Sequence, residues 1–236
     1  MSEAKKKVLK PSQMYIVAVL LAFAGGYFDA YTYFQRGGVF ANAQTGNIIK
    51  LSIVVAQGEF HKAMGFLIPI LAFILGTFVT LAIHTILHQR NITHIRKTTL
   101  VVEMILCAAV AFVPEGDNYN IVANTIVSFI CAMQMQCFQK FEGLVLATTV
   151  GTGNLRKWVE YSYRAIFRHE PEKIRSALLT LGTLLCFMFG VAVGVWFSEI
   201  GGRYAILFNL LPLGGSFAWI RYKQLQNRKL GVEYQS

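Results

Sequence analysis

Charge is scarce in this chain and unevenly signed. Charged residues make up 14% of the 236, with 12 Asp and Glu set against 22 Lys and Arg. Hydrophobic residues reach 55% and the mean hydropathy is +0.48. That balance excludes an ordinary soluble domain and points to a chain embedded in lipid. Enzymatic signatures are missing too. There is no Walker loop, G-x-S-x-G, H-E-x-x-H or dinucleotide fingerprint, so the chain reads as a non-enzyme without a cofactor. Its four cysteines (Cys107, Cys131, Cys137, Cys186) lie in apolar stretches with no C-x-x-C. They fit small buried side chains better than disulfides or a metal site.

What the chain does have is long apolar runs. Six segments are candidates to cross a bilayer: Met14–Phe34, Met64–His88, Thr99–Val113, Tyr119–Gln139, Ala177–Phe197 and Tyr204–Ile220. A spanning helix needs about 20 apolar residues, so the third is short and the sixth marginal. The first run follows Lys5, Lys6, Lys7 and Lys10 and ends without an A-x-A site, which reads as a retained helix and not a signal peptide. With the N-terminus inside, only Arg36, Lys50, Lys62 and Arg203 of the basic residues fall outside. This asymmetry is what the positive-inside rule requires. It accounts for the net charge of +10 with no nucleic-acid partner. Both termini, residues 1–13 and 221–236, become cytoplasmic basic tails.

A repeat runs through the chain. Thr45-Gly46-Asn47 recurs as Thr152-Gly153-Asn154, and at the same offset Phe34 matches Phe141, Val39 matches Leu146, Ile48 matches Leu155 and Lys50 matches Lys157. Farther on, Phe73-Ile-Leu-Gly76 resembles Phe187-Met-Phe-Gly190. Residues 14–115 and 119–220 form the two copies, each with three spans and one extra segment after the first. The extra segments are Gly37–Phe60 outside and Glu142–Arg168 inside. Leu155–Phe167 is patterned as an amphipathic helix lying at the interface, and Ile48–Val55 is too short to cross. Three spans is an odd number, so the second copy inserts upside down relative to the first. The expected fold is an all-α integral membrane protein of six transmembrane helices, arranged as two inverted three-helix repeats. Each repeat carries an extra half-helix or interfacial helix after its first span.

Asp29 is the one ionisable residue deep in the first helix, beside Gly25 and Gly26. An intramembrane carboxylate is costly and functional by default; the alternative is local capping or pairing with Arg36. Gly37-Gly38 breaks the helix, and Asn42, Gln44, Thr45, Gly46 and Asn47 then offer amides and a hydroxyl. The inner copy offers Thr148, Thr149, Thr152, Gly153 and Asn154. Unwound backbone with neutral polar groups binds ions or small solutes inside membrane proteins, while the plain alternative is helix capping. Gln134, Gln136 and Gln139 add polar groups to the fourth span, for solute contact or as interhelical glue. His84 and His88 share a helix face, with Glu103 shallow on the same side, as an interfacial His–Glu pair or a relay. Gly190-x-x-x-Gly194 and Gly76-x-x-x-Thr80 are close-packing faces, within the chain or between copies in a homo-oligomer.

The pattern Gly26-Tyr-Phe-Asp29-Ala30, then Gly37-Gly38-Val39-Phe40-x-Asn42-x-x-Thr45-Gly46-Asn47, with Thr148-Thr149-x-x-Thr152-Gly153 in the second half, resembles the YoaK family of bacterial membrane proteins, a domain of unknown function. The resemblance runs from about Met14 to Ile220. It departs at Gln134-Met135, where such proteins tend to carry Gln-Asn. It implies a multi-spanning protein of the bacterial cytoplasmic (inner) membrane and supplies no substrate.

Two functions stand against each other: a secondary transporter of a small solute or ion, using Asp29 and both Thr-Gly-Asn regions, and a non-transporting membrane scaffold or sensor. The topology is testable first. Single cysteines at Glu59, Asp117 and Ser198 should react with an impermeant maleimide from outside, and those at Asn91, Glu170 and Gln226 only from inside. Labelling of position 170 from outside would break the inverted arrangement.

Overall fold

The computed structural model describes residues 10–89, 95–146, 148 and 151–229. Among them are eight α-helices: α1 (Tyr15–Gln35), α2 (Gln44–Ala56), α3 (Phe60–Gln89), α4 (Ile95–Val110), α5 (Asp117–Cys137), α6 (Gly151–Phe167), α7 (Glu172–Gly201) and α8 (Leu210–Lys229). A two-stranded antiparallel hairpin, Lys140–Phe141 with Leu144–Val145, precedes α6. A 3-10 segment, Gly202–Asn209, joins α7 to α8.

Four stretches are long and apolar enough to cross a membrane: Tyr15–Gln35, Phe60–Ile86, Asp117–Cys137 and Glu172–Lys229. The last covers 58 residues and reverses at Gly202, whose φ of 51° is disfavoured for residues with a Cβ. Beyond it Tyr27 Oη donates to Ala205 O at 2.6 Å and Asn209 Nδ2 to Ala24 O at 3.1 Å, so α8 runs back down α1. α4 has 16 residues, about 24 Å of helix at 1.5 Å per residue, against a hydrocarbon core of about 30 Å. The segment read from the sequence as a short third span corresponds to α4, which starts earlier, at Ile95, and is not among the four stretches long and apolar enough to cross.

Contacts fix the helix directions. Tyr15 Oη donates to Leu179 O at 2.8 Å near the start of α1, and Gln35 Nε2 to Ser198 O at 2.6 Å at its end, so α1 and α7 run parallel. Gln134 reaches Leu21 while Asn124 reaches Arg36, so α5 runs against α1. The packing partners then interchange between chain halves: α1 lies on α7 as α5 lies on α3, α6 on α7 as α2 on α3, and α8 on α1 as α4 on α5. α1 and α5 are the inner helices, 72% and 56% buried over their apolar windows, against 22% for α3. α3 and α7 turn Leu71, Ile74, Phe78, Leu178, Leu185 and Phe189 outward. Such a large apolar surface is what lipid contact requires.

The small-residue faces work within the chain. A Cβ on Gly190 would sit 2.1 Å from Phe23 O, one on Gly26 2.1 Å from Phe187 O, and one on Gly76 2.7 Å from Phe129 O. Backbone meets backbone there, as in small-x-x-x-small packing. Arg36, fully buried, closes the other end of the bundle. Its guanidinium donates to the carbonyls of Val110, Val113 and Pro114 at the C-terminus of α4, so it is not the partner of Asp29. Ser198 is 1% exposed, which makes adjoining Glu199 the sound labelling position.

Gly190→Val should separate α1 from α7 and lower stability by about 1–3 kcal/mol or more, as overpacking does. Gly65→Ala, with nothing within 4 Å of its Cβ, should be close to neutral. Thermal unfolding of both variants in detergent checks the contrast.

Candidate functional site

Gly37 and Gly38, at φ 80° and 76°, end α1 and turn the chain back along it. Residues 39–43 then descend beside α1 until α2 begins. Asn47, fully buried in the first turn of α2, holds this segment. Its Oδ1 accepts from Phe40 N at 2.9 Å, and its Nδ2 donates to Phe40 O at 2.7 Å and Gln44 Oε1 at 3.0 Å. Gly46 is required beneath the Phe40 ring, which would come within 2.8 Å of a Cβ. Lys50 adds a further clasp, donating to Gly38 O and lying 4.3 Å from the Tyr33 ring centroid. Lys157 donates to Val145 O, the same bond at the same offset in the second half. Burial lowers both ammonium groups below the ordinary lysine pKa.

The clasped loop delivers its polar groups to α1. Asn42 N donates to Asp29 Oδ1 at 2.8 Å, and Asn42 Nδ2 to Gly25 O at 2.8 Å. The N–H groups of Ala41 and Ala43 also face this carboxylate, so Asp29 sits in a nest of successive amides. One turn before Gly25, Leu21 O accepts from Gln134 Nε2 at 3.1 Å, and the same nitrogen lies 3.4 Å from Thr148 Oγ1. The first loop thus bonds α1 directly at Gly25 and Asp29, while α5 bonds it one turn earlier at Leu21 through Gln134, and Thr148 of the second loop touches that glutamine.

The amides donate but their oxygens are left over. Asn42 Oδ1, Gln134 Oε1 and Asn209 Oδ1 are buried without hydrogen-bond partners among the described residues. The arrangement is acceptor-rich: one carboxylate and carboxamide oxygens whose NH2 groups are already committed. Such a set binds donors or a cation.

Several expected members lie elsewhere. Thr45 and Thr152 are exposed, because each Thr-Gly-Asn occupies the first turn of a helix and not an unwound loop. The roughly 100° step of a 3.6-residue turn then aims threonine outward when asparagine points in. Gly153 has open space around it, while Asn154 is buried. Gln44 is tied to Ala41 O, and half-buried Gln136 to Gln139. Thr149 and the side chain of His88 lie outside the described residues. Glu103 is fully buried and not shallow, and it makes no bond to His84. Sequence reading missed Asn209, an amide in an otherwise apolar run, and the capping by Arg36. Among the described residues no group of three His, Cys, Asp or Glu is placed to hold a metal.

Residues 17–219 match the family model described as a protein of unknown function (DUF1275). The chain belongs to that family. No curated protein matches it, and neither does any solved structure.

Asn47→Ala would leave the Phe40 peptide without its partners. Unmet buried groups cost about 1–3 kcal/mol each, so the variant should lose stability and expose the 36–43 segment. Faster proteolysis and hydrogen exchange in that segment, with Thr45→Ala unchanged, is the expected result.

Proposed function

We propose that the protein is a secondary transporter of a small solute or ion, working by alternating access in a bacterial cytoplasmic membrane with both termini inside. The observation that carries this reading is that polar groups of both chain halves gather on neighbouring turns of α1, the first loop directly and Thr148 through Gln134. Asn42 bonds Gly25 and the buried Asp29, Gln134 bonds Leu21 one turn before Gly25 and also touches Thr148, and both amides keep an unpaired oxygen. Transporters built from inverted repeats bind substrate where the repeats meet, at broken helices.

Six spans in two inverted repeats fit the packing. Counterpart helices run in opposite directions, and partner choices interchange between halves. The paired clasps Lys50–Gly38 and Lys157–Val145 support the same relation. In this reading α4 and α8 are the third span of each repeat, and α2 and α6 are the extra helices. The substrate presents donors or positive charge, because the site offers acceptors. A lipid bilayer surrounds α3 and α7. Nucleic acid has no role, catalysis has none, and a homo-oligomer would use faces other than Gly190 and Gly194.

A scaffold or sensor is the second reading. It draws on one observation, that Asp29 already receives backbone N–H groups and so has a structural use. Transport measurements separate the two. A screen of cationic and donor-bearing solutes in proteoliposomes should reveal accumulation. Asp29→Asn, which keeps shape and removes charge, should then abolish it in folded protein. Asn42→Ala and Gln134→Ala should each cost about 1 kcal/mol or more of solute binding, non-additively if one ligand bridges them, while Thr45→Ala and Thr152→Ala leave binding near wild type. Full activity in Asp29→Asn would move that residue to the scaffold reading.

A further inference from the structure

Glu103 is a fully enclosed ionisable side chain outside the proposed solute site. It lies on α4 and is 0% exposed. Neither carboxylate oxygen has a hydrogen-bond partner among the described residues. Its titratable neighbours are thiols: Cys107 one turn along α4, and Cys131 and Cys137 on α5, all within electrostatic reach. α8 packs against α4 and brings no Asp, Glu, His, Lys or Arg between Leu210 and Ile220. α1 brings Asp29, which shares Cys131 as a neighbour. α3 brings His84, and the far end of α4 brings Arg96, which donates to Cys137 O.

This setting narrows what can neutralise the carboxylate. Mg2+ and Ca2+ demand roughly six or more oxygen ligands, and the groups around Glu103 supply sulfur and hydrocarbon. No lysine or arginine bonds to it among the described residues. A proton requires nothing beyond the carboxylate itself. A polar thread also leads away from it. Thr99 stands at i−4 on α4, about 5–6 Å between Cβ atoms for such a pair. No hydrogen bond joins Thr99 to Glu103 at rest: the Thr99 hydroxyl donates to Ile95 O at 3.0 Å, its Oγ1 lies 3.2 Å from Cys137 Sγ, and that sulfur lies 3.8 Å from His84 Nε2. Intramembrane carboxylate–histidine chains are the usual material of proton relays.

We propose that Glu103 is the proton-exchange site that couples transport to a proton gradient, loaded and unloaded through Thr99, Cys137 and His84. This rests on the transporter reading, since a proton is coupled only if a solute moves. The step is a proton transfer without redox change. The Glu103 O–H bond breaks once rotation of its carboxyl group brings it to Thr99 Oγ1. The Thr99 hydroxyl turns from Ile95 O to Cys137 Sγ as it hands on its own proton, Cys137 does the same, and Nε2 of His84 takes the last. A carboxylate remains at Glu103 until a proton returns.

The test needs no substrate. Full-length protein in phosphatidylcholine vesicles is followed by infrared spectroscopy, at the carbonyl stretch of a neutral carboxylic acid, as pH is raised in H2O and in D2O. The expected band fades with rising pH and shifts in D2O. It is lost in Glu103→Gln and survives in Asp29→Asn. A band unchanged by Glu103→Gln overturns the proposal, and so does one indifferent to pH and D2O, which marks a sealed structural acid. If Glu103→Gln fails to fold, wild-type protein is treated with a hydrophobic carbodiimide, which attacks protonated carboxyl groups. A mass-spectrometric adduct at Glu103 that declines as pH rises supports exchange, and no adduct at any pH overturns it. A titrating Glu103 in a protein that moves no screened solute would sink the transporter reading alone. An active transporter with a pH-indifferent Glu103 would sink the proton proposal alone.

Discussion

One turn of α1 holds the molecule together. The carbonyls of Leu21, Ala24 and Gly25 accept side-chain amides from Gln134, Asn209 and Asn42, and so tie α5, the end of the 3-10 segment before α8 and the first loop to a single stretch of helix. In hydrocarbon no water competes for these groups, and backbone polar atoms must be met internally. On another side of the same helix, Gly26 lets the backbone of α7 approach within contact distance. Amide donors fix one side and missing side chains fix the other. α3 and α4 are placed by their packing on α5, and α2 and α6 by theirs on α3 and α7.

Donation and acceptance are unequal in that core. Each amide spends its NH2 on a carbonyl and keeps a buried oxygen unpaired. Every such oxygen carries a penalty of about 1–3 kcal/mol, and folded proteins retain few of them. If stability alone had shaped this core, leucine at Gln134 or Asn209 would serve as well, because an apolar replacement of matched shape removes the penalty together with the bond. Their clustering along one turn of α1, next to the turn that carries Asp29, is what gives the site reading its weight.

Much of this was legible in the chain. The apolar runs and the break at Gly37-Gly38 follow from residue type and neighbours, Asp29 and Asn42 stand out in the sequence and bond each other in the fold, and α1, α3, α5 and α7 lie where hydropathy puts them. Legibility failed where rotation about a helix decides the outcome. Thr-Gly-Asn reads as one polar motif, yet helical geometry turns Asn47 inward and Thr45 outward. Glu103 misled for the opposite reason. Its distance from Arg96 in sequence suggests an interfacial residue, but the short α4 is enclosed by α5 and α8, and seven residues from a basic end already lie in the core. Asn209 escaped notice because a single amide in an apolar run carries no pattern.

The two halves share architecture but not charge. Both keep the lysine clasp, and both keep a buried asparagine in the first turn of the extra helix. Asp29, however, corresponds by offset to Gln136, which is half-buried and bonded to Gln139. Arg36 corresponds to Gly143 in the hairpin turn. What repeats is the means of holding a loop against a helix; the buried Asp, Glu and Arg side chains among the described residues belong to the first half. Two facing carboxylates in one low-dielectric site would repel and disfavour each other's charge. A single carboxylate faced by neutral amides avoids that conflict, and in the transporter reading it provides for one positive charge. The second charge of the interior, Glu103, stands apart behind the thiols of α5. That separation allows the two carboxyl groups to change state one at a time.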